Sequence, residues 1–188
     1  MKCDGLKIIF WIFIFLFILL SSYEIVLRTN SYTIEQEKWL NYFAGGNNAD
    51  GEYTSLEFSH MEDVKRVMNG VDYIFYICLI LVLGVGLYYK KDKKLLINLS
   101  YYGGLVSVGG IVLLLLIILV SFNFFFAVFH QIFFPQGNWQ FPANSLLIQT
   151  FPLDFFTGLS VKIFLLALVL GLVLWGAGYY LRKKIKFR

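Results

Sequence analysis

Only two histidines occur in this 188-residue chain, His60 and His130. Imidazole is the side chain whose ordinary pKa lies nearest neutrality, so a pair can take up a proton and return it within one reaction. His60 sits in Phe58-Ser59-His60-Met61-Glu62-Asp63-Val64-Lys65, and helical spacing puts Glu57 a turn before it and Asp63 a turn after. Residues three or four apart on a helix are neighbours. Either carboxylate could therefore accept an imidazole N–H, fix the tautomer and raise the basicity of the other nitrogen. His130 sits in Phe129-His130-Gln131-Ile132-Phe133-Phe134, where apolar neighbours favour the neutral ring that a general base needs. The following Gly137-Asn138-Trp139-Gln140-Phe141 supplies donors, among them Asn138, Trp139 and the backbone, for a developing oxyanion. The plainer reading of the same residues is two unrelated interfacial histidines, ordinary surface acids on a helix, and an aromatic belt with a proline turn.

The rest of the sequence narrows the chemistry. Cys3 and Cys78 form no CxxC and no metal-ligand spacing, so neither a disulfide, thiol chemistry nor a metal site is expected. No GxSxG, HExxH, P-loop or dinucleotide fingerprint occurs. Bases and donors without a covalent nucleophile suit a reaction whose substrate brings its own. Of the remaining charged residues, Asp154 reads as favouring the start of a helix, Lys162 as reaching from the membrane to the headgroups, and Glu24 as lining a polar cavity or meeting the interface.

What must position these residues is set by hydropathy. Hydrophobic residues make up 59% of the chain and charged ones 15%, and mean hydropathy is +0.70. A soluble domain of this size cannot hide so much apolar surface. A helical span needs about 20 mostly apolar residues. Four stretches qualify, at about 6–27, 71–89, 105–129 and 155–181, the third preceded by a less apolar run with a Tyr101-Tyr102-Gly103-Gly104 break. The expected fold is an all-α membrane protein: one integral membrane domain over 1–188, with four transmembrane helices and two connecting segments, about 28–70 and 130–154.

Charge orients it. The net charge is +4, and eleven of the sixteen Lys and Arg fall in three clusters. These are Lys2/Lys7, Lys90/Lys91/Lys93/Lys94 and Arg182/Lys183/Lys184/Lys186/Arg188, each abutting an apolar run. That is the positive-inside pattern and not a nucleic-acid patch. Both termini are therefore expected in the cytoplasm, and both histidines at the outer leaflet. Cys3 precedes the first apolar run, which reads as an uncleaved anchor. Within the connections, Thr33–Phe43 is short and amphipathic, Gly45–Gly51 is a loop by turn chemistry, and Thr54 with Glu57 forms a capping box. Pro135, Pro142 and Pro152 among many aromatics forbid one continuous helix in the second connection.

Phe58–Lys65 and Phe129–Phe134, with Gly137–Pro142, Leu146-Leu147-Ile148 and Phe151-Pro152, resemble the signatures of the lipoprotein intramolecular transacylase (Lit) family of Gram-positive bacteria. The resemblance covers essentially the whole chain. It implies a cell-membrane acyltransferase that needs no cofactor. Its substrate would be a diacylglyceryl-modified lipoprotein, whose sn-2 acyl chain moves to the α-amino group of the N-terminal cysteine and leaves a lyso-form product. The resemblance places the catalytic histidines at His60 and His130. From the residues themselves, a non-catalytic membrane subunit and a bis-histidine carrier of haem or metal remain open readings.

Overall fold

The computed structural model describes residues 4–46 and 53–186. Cys3 and most of the Gly45–Gly51 loop lie outside the described residues. Every described element is a helix: α1 (Asp4–Thr29), α2 (Ile34–Phe43), α3 (Ser55–Tyr88), α4 (Lys93–Val120), α5 (Phe122–Phe133), α6 (Leu146–Thr150) and α7 (Leu153–Lys186). Helices α1, α3, α4 and α7 are each long and apolar enough to cross a membrane. The chain is a multi-pass membrane protein. Lipid satisfies no backbone group, so spanning segments must be helical throughout. Hydroxyls inside them turn back on their own helix, as Ser22 does to the Ile18 carbonyl and Ser107 to the Gly103 carbonyl, both at 2.8 Å.

Helix α4 is the hub, packing on α7 and α1, while α3 leans chiefly on α1. In lipid the hydrophobic effect does not drive helices together, so association rests on close backbone approach and packing. Glycine provides that approach. A Cβ on Gly104 would lie 2.5 Å from the Trp175 nitrogen, and one on Gly178 would lie 2.6 Å from the Tyr101 nitrogen. The Tyr101–Gly104 stretch, expected as a break, is therefore continuous helix, its glycines forming the contact with α7 and α1. Phe10, Ile14, Ile18, Leu99, Ile111, Ile118, Phe164 and Ala167 fill the core between these helices.

One apolar stretch departs from its expected limits. The third apolar stretch is two helices, divided at Ser121, which ends α4 in extended backbone and caps α5 by accepting from the Phe124 N–H. Helix α3 begins well before its apolar run. At 1.5 Å per residue its 34 residues extend about 51 Å, against an apolar bilayer thickness of about 30 Å. Its apolar run starts at Val71, so the first four turns, which carry His60, stand clear of the membrane-crossing part.

Those turns belong to a second, smaller core. Trp39 is fully buried and packs with Tyr42, Met61 and Leu147, ringed by Phe58, Tyr53, Phe141 and Phe151. Polar ties hold this cap together. The Gln36 Nε2 donates to the Thr150 carbonyl at 2.7 Å, Lys65 Nζ donates to the Tyr42 carbonyl at 2.7 Å, and the hydroxyls of Tyr53 and Thr150 share a hydrogen bond at 2.9 Å.

Candidate functional site

His60 lies on the cap portion of α3 and His130 in the last turn of α5. The fold brings them together: their ring centroids are 6.0 Å apart and the rings lie within 27° of parallel. Both are buried, at 6% and 8% exposure. Phe134, itself buried, touches both, with its ring centroid 4.8 Å from His60 and 5.3 Å from His130. Phe141 adjoins His60, while Phe126 and Trp139 adjoin His130. The two imidazoles thus sit in an aromatic box.

The box decides their protonation. Burial holds His60 well below its ordinary value, at about 4, and His130 pushes the same way because two adjacent rings resist double charging. The Asn138 side chain acts in the opposite direction. Burial also lowers His130, offset by the hydrogen bond to the Phe126 carbonyl. That bond, Nδ1 to the Phe126 oxygen at 2.8 Å, fixes the tautomer of His130. A carbonyl only accepts, so Nδ1 carries the proton and Nε2 presents the lone pair.

Neither carboxylate expected to orient His60 hydrogen-bonds an imidazole. Glu57 stands at the third helical position of α3 and turns back to accept from the Thr54 N–H and hydroxyl at 2.7 and 2.8 Å. Its other oxygen accepts from the Leu147 N–H at 2.9 Å. Glu57 therefore closes its own helix cap and ties α3 to the start of α6, with both oxygens engaged away from His60. Asp63 accepts from Arg66, from Gln136 Nε2 and from Asn138 Nδ2, the last at 2.7 Å. Asn138, expected as an oxyanion donor, spends that donation on Asp63, and its Oδ1 is buried without a partner. Trp139 packs against His130 with the rings tilted by 40° and 4.9 Å between centroids.

The loop after α5 supplies several of these groups at once. Gly137 donates its N–H to the Phe134 carbonyl at 3.1 Å and adopts φ of 78°, the left-handed region that favours glycine. The turn sends Phe134 inward on one side, Gln136 and Asn138 to Asp63 on α3, and Trp139 back onto His130. Gln136 and Arg66 escaped the sequence reading, although Pro135 and Gly137 around Gln136 mark the turn. A cavity of about 520 Å³ opens at the Asp63 cluster, lined by Ser59, Asp63, Arg66, Phe133, Gln136 and Asn138 among others, and neither histidine lines it.

The other charged candidates lie apart from this box. Lys162 donates to Asn30 Oδ1 at 2.6 Å, which joins α7 to the end of α1. Glu24 pairs with Arg28 at 3.0 Å, and Asp154 is an exposed residue in the first turn of α7. Cys78 is a buried free cysteine, and among the described residues no three His, Cys, Asp or Glu converge on one point.

Fold and site together define a four-span membrane protein that carries a buried two-histidine centre beside a small aromatic cap. The chain belongs to the lipoprotein intramolecular transacylase (Lit) family of acyltransferases, whose sequence profile matches residues 37–156. Its fold is similar to that of the membrane-integral Lit of Bacillus cereus, with a TM-score of 0.75 at 18% identity, covering 97% of this chain and 96% of the other. A histidine-to-alanine variant of that protein superposes with a TM-score of 0.76, again at 18% identity, over 97% of this chain and 94% of the other. An uncharacterized protein of Aquifex aeolicus is 26% identical over 142 residues, 74% of this chain. The chain spans 62% of that relative's length.

Proposed function

We propose that this chain transfers the sn-2 acyl group of a diacylglyceryl-modified lipoprotein to the α-amino group of the lipoprotein's own N-terminal cysteine, at the outer leaflet. The observation that carries the reading is the pairing of His60 and His130 at 6.0 Å in a member of this family. The amine nitrogen attacks the sn-2 carbonyl carbon through a ring of eight atoms: N, Cα, Cβ, S, two glycerol carbons, the ester oxygen and the carbonyl carbon. An amide C–N bond forms, the ester C–O bond breaks, and the glycerol hydroxyl is released. Starting from the ammonium, nitrogen first gives one proton to solvent; the amine then loses a second as the amide forms, and the glycerol oxygen gains that one. Nucleophile and ester share one molecule, so orientation supplies much of the rate.

The reference pKa of an α-amino group is about 8, so the substrate arrives mostly as ammonium and needs a base. His130 is the better base of the two. Its Nδ1–H bond to the Phe126 carbonyl stabilises the imidazolium, whereas His60 is held at about 4. His130 accepts the amine proton, and the pair returns one to the departing glycerol oxygen. The Lys90–Lys94 cluster and the basic residues after Leu181 support a cytoplasmic position for that end and an outer position for the histidines.

The test is mass spectrometry of the N-terminal lipopeptide of a co-expressed lipoprotein, with each variant at matched levels. A single general acid or base contributes about 10²–10⁴-fold, so His60→Ala and His130→Ala should each lose at least that range. The double variant should be little worse than the poorer single, because the residues act as a unit. Near-wild-type lyso-form from either single variant overturns the two-histidine mechanism. A cytoplasmic reporter fused after Lys94 should be active and one near Asn48 silent; the reverse pattern overturns the outer-leaflet placement.

A further inference from the structure

We propose that Asp63 and Asn138 form a positioning relay that holds His60 in a single tautomer, with its proton on Nδ1 donated to Asn138 Oδ1 and its Nε2 lone pair facing the reacting group. The structural part stands alone; only the catalytic consequence rests on the function proposed above.

The chain of donors and acceptors admits one arrangement. A carboxylate only accepts, so the amide end of Asn138 that meets Asp63 at 2.7 Å must be the NH₂. Turning the amide over would set two oxygens against each other. Asp63 cannot rotate away, since Arg66 and Gln136 also donate to it and its side chain is 10% exposed. The Asn138 carbonyl is thereby aimed away from Asp63. Asn138 Oδ1 and His60 Nδ1 are both buried and both lack a partner. One can only accept, and the other can donate. Two dry polar atoms of complementary kind on neighbouring residues satisfy each other after a small adjustment, and each is costly to leave alone. The pull of Asn138 on the proton affinity of His60 has the sign of an acceptor, since accepting an N–H favours the charged ring.

The relay gives the two rings matching polarity. His130 donates from Nδ1 to the Phe126 carbonyl and presents Nε2. His60 would donate from Nδ1 to an amide carbonyl and likewise present Nε2. Two lone pairs of one kind can then hand a single proton between amine and glycerol oxygen. The titratable and charged groups near His60 are His130, Asp63, Arg66 and Glu57, and Glu57 is committed to Thr54 and Leu147.

The first test is ¹⁵N NMR of the purified protein with labelled histidine, His60 being assigned by comparison with His130→Gln. At neutral pH, His60 should show a protonated Nδ1 and an unprotonated Nε2; the opposite tautomer overturns the relay whatever the variants do. The second test is a swap. In Asp63→Asn the new amide donates to Asn138 Oδ1, the Asn138 NH₂ turns to His60, and the ring must move its proton to Nε2. Turnover should fall about tenfold to a hundredfold, with much less change in KM. In the double variant Asp63→Asn, Asn138→Asp the acceptor facing His60 returns. Turnover should recover at least tenfold over the single variant. The acid limb of its pH profile should rise, because a carboxylate now faces the ring. Asp63→Asn at near-wild-type turnover, or a double variant no better than the single, overturns the relay. A protein that makes no lyso-form product at all would overturn the proposed function and leave the tautomer measurement to judge the relay.

Discussion

Opening the aromatic box should make both histidines easier to protonate, and Phe134→Ala is the substitution that does so. Phe134 is 2% exposed and is, among the described residues, the one aromatic ring apart from the histidines themselves that touches both imidazoles. Acyl transfer by this mechanism needs both rings neutral, so the pH–rate profile should have an acid limb below the ordinary 6.5. His130 sets that limb first, and His60 follows near its value of about 4. Of the two causes that hold His60 down, burial is the larger and mutual repulsion with His130 the smaller. Phe134 is the nearest of the rings around His60, against 5.7 Å for Phe141 and 6.0 Å for His130. Removing it should undo part of the burial effect, moving the His60 midpoint up by about one pH unit, or about 1.4 kcal/mol of proton affinity, with His130 moving in the same direction. The same burial makes stability pH-dependent. A histidine lowered in the fold contributes stability in full above 6.5 and loses it as pH falls through the folded value. In Phe134→Ala that loss should still begin near 6.5 but be smaller and end at a higher pH. The assay is the initial rate of lyso-form production from a synthetic diacylglyceryl lipopeptide between pH 4 and pH 9, beside ¹⁵N titration of both histidines. Phe134→Leu, which keeps the box dry, should leave both midpoints unmoved. A wild-type acid limb at or above 6.5, or unchanged midpoints in Phe134→Ala, refutes the burial argument.

Three further outcomes follow from the same geometry. Glu57→Gln should loosen the cap, because it weakens charge-assisted bonds to Thr54 and Leu147; about 1–3 kcal/mol of stability is at stake, read as a lower melting temperature and faster amide exchange around Leu147, without a change in the His60 tautomer. Gly104→Val forces a side chain into the Trp175 backbone and should destabilise the bundle by about 3 kcal/mol or more, whereas Gly84→Ala, with open space around it, should be neutral or stabilising by up to about 1 kcal/mol; thermal unfolding in detergent distinguishes them. Cys78→Ala should retain activity and chelators should have no effect; loss in chelator with recovery on adding zinc would instead place a metal at His60 and His130.

How far the site was legible in the sequence differs residue by residue. Hydropathy alone identified four spans, because lipid admits only long apolar helices and so leaves a strong local signal. The capping box at Thr54 and Glu57 and the short helix after Thr33 were equally local, since each is written within a few residues. His60 and His130 stood out because the chain has no others, and their motifs carried the family resemblance. Their 6.0 Å pairing is a different matter. It depends on α5 leaving the line of α4 at Ser121 and on Phe134 seating against both rings, and no spacing within either segment encodes that. The glycines at 103 and 104 look locally like a helix breaker and become a packing surface only once α7 and α1 lie against them. Helical spacing correctly put Glu57 and Asp63 near His60, but not where their oxygens point. A carboxylate goes to the best unpaired donors within reach. Those donors, the Leu147 N–H and the amides of Gln136 and Asn138, arrive from segments more than seventy residues away that only tertiary structure brings alongside.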